Sequence, residues 1–345
     1  MRSVRWLALA AAVGAALGCR DDEKGPRYED PLVFCQDLRS AWAAAEVRCE
    51  GFTEKAAAWA LERVVNCDRI AAAVAAERIR YDAAKAQACI AAFGGMTCDD
   101  FGWNEGPNVL CLEAMVGLQP AGASCTLDID LECADGWCDF VDGCFVQGVC
   151  RAYRHAGQSC TGEDEECAPD LSCSGSCFTP TTLGVGGNCG VSGVRCGPGL
   201  FCETGEMSFT CAPRRGAESS CAYDEQCQGG LQCLAEVCAP WVATGSSCVA
   251  GTYACRIGAS CSAEGSCVAW PGLGGACGAD LPEEDLCLEG WCMTGSAAAA
   301  GTCVAHLAPG AACSPAGPNP CGPGYACKGG ELPVCAPYYC GSLKS

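Results

Sequence analysis

The chain has 345 residues, 37 of them cysteine and 2 histidine, and a net charge of −20. Cysteine above a tenth of the chain is the composition of a disulfide scaffold formed in an oxidising compartment. The acidic excess falls mostly after residue 120 and has the wrong sign for nucleic acid or an anionic lipid surface.

Arg2 and Arg5 precede an apolar run from Trp6 to Leu17, then Gly18 and Cys19. A basic start, a short apolar core and a small residue before a cut describe an export signal, too short to span a bilayer. Cys19 stands where a bacterial lipobox places the cysteine that becomes the lipidated first residue. Leu17 departs from the usual small residue two places before the cut, and Ala16 and Gly18 also suit ordinary signal peptidase. Residues 1–19 are therefore read as a lipoprotein signal, with simple secretion as the alternative. Residues 20–29 are charged, contain Gly25 and Pro26, and read as a tether.

Residues 30–118 carry helix signals. Asp30-Pro31 is an N-cap carboxylate followed by proline at the first helical position. Phe34, Leu38, Ala41, Trp42 and Ala45 follow at helical spacing. A second helix is expected after Thr53, carrying Trp59, Leu61, Val64 and Val65. A third is expected over about Cys67–Glu77. A fourth, capped by Asp82, runs from Ala83 to Phe93 and ends at Gly94-Gly95 in the C-cap manner. Six cysteines lie here: Cys35, Cys49, Cys67, Cys89, Cys98 and Cys111. Three bridges would staple a small bundle, and fifteen connectivities are open.

Residues 119–345 form an array. Its openers are Cys125, Cys160, Cys189, Cys221, Cys248, Cys277 and Cys313, most of them within Gly-x-x-Cys. The unit Cys221–Cys238 shows the plan, with Cys221, Cys227, Cys233 and Cys238 and a Gly230-Leu231 pair between the second and third. Recurrence every 27 to 36 residues marks about seven repeats. A unit this small cannot bury enough apolar surface to offset its chain entropy, so two bridges must supply the difference. The glycine before each apolar plug suits a positive φ, with Asp170 as its substitute in the second unit. Each unit reads as a two-stranded hairpin. Of the three possible pairings, first-to-third with second-to-fourth is favoured, because crossed links constrain the whole unit. Cys144 and Cys340 fall outside the repeat pattern.

The Gly-x-x-Cys opener with Cys-x-x-Gly-Leu-x-Cys resembles the cysteine-rich repeats of the Dickkopf N-terminal type, found in many predicted lipoproteins of Gram-negative bacteria. The resemblance covers about 125–340 and implies a secreted, disulfide-built, non-catalytic module. The animal module has adjacent cysteines and none occur here, so receptor binding is not carried over.

The sequence carries little that reads as catalytic or metal-binding chemistry. Structural zinc favours Cys-x(2–4)-Cys pairs with histidine or a second such pair. No Cys-x-x-Cys occurs, which also counts against a thioredoxin-like role. Asp128, Asp130 and Glu132 alternate, but Cys133 occupies the position where a calcium loop needs glycine. They read as a solvated face, as do the runs 163–166 and 283–285. His155 and His306 sit in linkers before opening cysteines. Two histidines leave little material for a general base or a triad, and no nucleophile-elbow, zincin or phosphate-loop motif appears.

The expectation is a small disulfide-rich protein: a disulfide-stapled helical domain followed by an elongated array of four-cysteine hairpins. It is expected to be monomeric, without cofactor or metal and with no nucleic acid partner. It would be held at the envelope by a lipid on Cys19 and engage an unidentified protein or glycan. The alternatives are a secreted protease inhibitor presenting Arg214-Arg215 or Arg256 on an exposed loop, and an enzyme with its site in the helical head.

Overall fold

The computed structural model describes residues 28–101, 111, 113–126, 131–139, 148–161, 166–204, 209–249, 254–277, 287–288, 290–293, 301–308, 310–314, 320–321, 325–328 and 333–337. No helix among them is long and apolar enough to cross a membrane.

Four helices build the head: α1 (Pro31–Cys49), α2 (Glu54–Val64), α3 (Cys67–Ala75) and α4 (Ala83–Gly95). Each starts on a side-chain cap. Asp30 accepts from the Leu32 N–H, Thr53 from Ala56, Asn66 from Arg69, and Asp82 from Ala84 and Lys85. These bonds satisfy donors that the first helical turn leaves open. The far end of α4 departs from expectation: the helix runs through both glycines to Gly95, and an extended Met96 is its C-cap.

Phe34, Leu38, Ile70, Ile79, Phe93 and Met115 fill the head core, and Leu131 from the array joins it. Tyr28 is also buried there, 1% exposed, and its hydroxyl donates to Asp37. Tyr81 donates in turn to the Tyr28 carbonyl at 2.7 Å. Tyr28, within the stretch expected to be tether, packs edge-on against Phe34. Sequence periodicity also missed a strand pair, β1 (Ile79–Tyr81) with β2 (Met115–Gly117), which ties the α3–α4 connection antiparallel to the head's last segment. Three-residue strands are too short to show alternation. The bridges Cys35–Cys67, Cys49–Cys98 and Cys89–Cys111 staple the helices.

The array is a chain of small disulfide-stapled hairpins. In the unit around Cys221, strands Leu231–Leu234 and Val237–Pro240 pair antiparallel, with Cys233 facing Cys238. Each then turns to a different partner, giving Cys221–Cys233 and Cys227–Cys238. The same crossed pattern is made by Cys125–Cys138 with Cys133–Cys150, and by Cys248–Cys261 with Cys255–Cys267.

The two-stranded hairpin is found in most units, and in two of them the opening segment adds a third strand. In the first unit Ser124–Cys125 pairs with Gly148–Ala152, which pairs with Gly136–Asp139. In the Cys277 unit Ala276–Cys277 pairs in the same way with Gly301–Val304, and elsewhere the contact is a short bridge, such as Ser247↔Ser266. A turn sets it up. At Gly245 (φ +85) the backbone reverses, Ser246 N–H donates to the Ala243 carbonyl, and Gly245 N–H donates to the carbonyl of the fourth cysteine, Cys267. That geometry requires a positive φ at its third residue, which explains glycine in Gly-x-x-Cys. In the Cys221 unit Glu218 takes the same position at φ +68.

The glycine before the apolar plug is left-handed at Gly199, Gly230, Gly258 and Gly290. Two units differ from expectation. In the first, Asp135 takes the positive φ, and Gly136 is required instead because a Cβ there would lie 2.0 Å from the Arg151 carbonyl oxygen. In the second, Asp170 is not left-handed.

The plugs themselves are mostly half-buried, as at Trp137, Leu200 and Leu231. Each interior is made chiefly of sulfur: Cys125, Cys133, Cys138 and Cys150 are all buried together. The bridges therefore act both as crosslinks and as the apolar filling.

The array also makes contacts back to the head that its place after the head in the sequence did not foretell. Gly230 N–H donates to the Cys49 carbonyl at 2.9 Å. Ile257 N–H donates to Gly51, and Thr53 N–H to the Ile257 carbonyl. Units far along the chain thus return onto the loop between α1 and α2.

Candidate functional site: the junction of head and array

The α1–α2 loop is short and its direction is set by Gly51 at φ +74. A Cβ there would lie 2.4 Å from the Trp241 indole, so the ring lies directly over the backbone. Phe52 then bridges Ile257 in parallel, and Thr53 caps α2. A second contact lies on the Cys49–Cys98 bridge. A Cβ at Gly229 would come within 2.3 Å of the Cys98 Cβ, so the Gly229-Gly230 turn rests against that disulfide.

Arg256 is wedged between the two parts. Its Nη1 donates to the Val47 carbonyl at 3.3 Å and to the Phe52 carbonyl at 3.4 Å. Its Nε is buried without a partner. Arg256 is therefore not the exposed loop cation a protease inhibitor would present.

Arg215 is likewise committed. It donates to Glu203 and to the Ser220 carbonyl and lies over the Phe201 ring at 5.5 Å, clamping one unit to the next. Arg214 is half-buried beside it. The dibasic pair is a joint between units because the residues after each fourth cysteine bridge to the next unit, here Arg215↔Cys227.

At the near end of the array, Glu132 is 1% exposed. Its carboxylate accepts from Arg78 and from the backbone N–H and hydroxyl of Thr126, while Arg69 donates to the Thr126 carbonyl. The reading of Glu132 as part of a solvated face is corrected. A buried carboxylate needs paired donors, and Arg78 reaches it from a turn 54 residues earlier. The spacing of Asp128, Asp130 and Glu132 could not reveal this partner.

The other predicted residues divide by place. Cys19, Cys144, Cys340, Asp128, Asp130 and the run 283–285 lie outside the described residues, and of 163–166 only Glu166 lies within them, exposed. His155 Nε2 lies 2.9 Å from Asp135 at an exposed turn, and His306 is half-buried before Cys313. The sulfur clusters that resemble metal sites, such as Cys221, Cys227 and Cys238, are crossed disulfides, so their sulfurs are already bonded.

Two carboxyl and phenol groups are perturbed in the head. Burial, then the Glu50 charge, pushes the Glu46 carboxyl up, against the lowering bond from the Trp42 indole. Burial foremost pushes the Tyr81 phenol well above its ordinary value. Glu46 lies on α1, and Tyr81 on β1 against Tyr28 and Phe34.

Among known proteins, the family profile of the Dickkopf N-terminal cysteine-rich region matches residues 191–239. The match covers the later part of the Cys189 unit and the whole of the Cys221 unit. No curated protein and no solved structure matches the chain. The chain is thus a cysteine-rich scaffold of the extracellular structural or binding kind, with Dickkopf-like character in its middle units.

Proposed function

We propose that the chain is a non-catalytic lipoprotein of a bacterial cell envelope, exported and held through a lipid on Cys19, whose array presents binding surfaces outside the membrane. The observation that carries this reading is the density of disulfides in the array. Such links persist in oxidising compartments and are rare in the cytosol. The signal-like segment before Cys19 supplies the anchor.

Mass spectrometry of the mature N-terminus from the native host tests it, with globomycin as the pharmacological arm. A diacylglyceryl cysteine at position 19 is expected, and processing should stall with the inhibitor. An unmodified start elsewhere removes the anchor.

A further inference from the structure

A cleft of about 400 Å³ opens where α2 meets the array. Glu54 and Lys55, in the first turn of α2, line one side. Thr244, Arg256, Trp270 and Leu288 are among the residues that line the other. The array is strongly acidic, yet this cleft gathers two cations against one carboxylate. Arg256 has no carboxylate partner among the described residues, while Arg78, Arg151 and Arg215 each do. The half-buried guanidinium lines the cleft and meets only neutral backbone carbonyls, so its charge is left for an anion to offset. The Trp270 indole N–H is already given to Ser260 at 2.8 Å. Trp270 therefore has its ring, and not its donor, to offer.

We propose that this cleft binds an acidic saccharide, with the carboxylate of a hexuronic acid between Lys55 and Arg256 and the sugar ring against Trp270. Glu54 accepts from the sugar hydroxyls. The C–H face of a pyranose suits an aromatic surface, and the small, partly polar lining does not suit a long acyl chain. The proposal rests on reading the chain as an exported binding protein and names the ligand class for it.

The test is calorimetric titration of the oxidised full-length protein with trigalacturonic acid, followed in parallel by tryptophan fluorescence. Maltotriose serves as the neutral match, and an acetylated dipeptide with a free C-terminal carboxylate as the other source of that group. Saturable binding of the uronate is expected. It should weaken about tenfold or more in Lys55→Glu, whose side chain is exposed, and fall with added salt. Trp270→Ala should weaken it and Trp270→Phe restore part of it. Equal binding of maltotriose, tighter binding of the dipeptide, no saturable binding, or unchanged affinity in Lys55→Glu each overturns the proposal. Loss of binding with a lipidated Cys19 refutes the cleft alone. Retained binding with an unmodified N-terminus refutes the anchor alone.

Discussion

The Arg78 Nε lies 3.1 Å from the Glu132 carboxylate, and this pair joins the helical head to the first unit of the array. Arg78 is a quarter exposed whereas Glu132 is almost wholly covered. The acid is therefore the member whose removal leaves unpaired groups behind, among them the Thr126 N–H. Glu132→Ala should cost about 3 kcal/mol by chemical denaturation of the oxidised protein. Glu225→Gln, at an exposed acid, should leave the transition unmoved. Equal, small effects from both would show that the Arg78 contact contributes little.

Glycine positions separate docking from helix propensity. Gly51→Ala must strain a left-handed backbone and displace the Trp241 ring, so it should destabilise by about 1–3 kcal/mol. Gly94→Ala, inside α4 with open space around it, should stabilise by about 0.5–1 kcal/mol. Thermal denaturation of both variants checks the opposite signs.

The crossed pairing is directly measurable. Non-reducing digestion and mass spectrometry should recover Cys221–Cys233 and Cys227–Cys238, with no Cys233–Cys238 link. Replacing Cys227 and Cys238 together by serine should cost about 2–4 kcal/mol. The other bridges should survive, because each unit closes its own two links.

Glu46 makes a pH prediction. Its folded carboxyl is raised above the ordinary value, chiefly by burial. The folded state therefore favours the protonated form. The associated stability is fully present below the unfolded carboxylate pKa and is lost as pH rises through the folded one. Glu46→Gln keeps an acceptor for Trp42 without the charge. It should be more stable than the parent at neutral pH, with the gain shrinking in acid. Denaturation midpoints at several pH values read this out, and a constant difference would contradict it.

The sequence by itself determined what depends on near neighbours. Asp30, Thr53 and Asp82 placed the starts of three of the four helices, because capping is a bond to a donor two or three residues away. Cysteine spacing set the units, and the favoured crossed pairing is the one found, because both links close within a single small loop. What only the tertiary structure decided lies between distant residues. Glu132 looked solvated until Arg78 reached it, and Arg256 looked free until its guanidinium met the Val47 carbonyl, 209 residues away in the chain. The return of the array onto the head, the third strand of the first and Cys277 units and the burial of Tyr28 belong to the same class. Such contacts carry no period and no motif, since they are set by how finished surfaces fit together and by which buried polar groups find partners there.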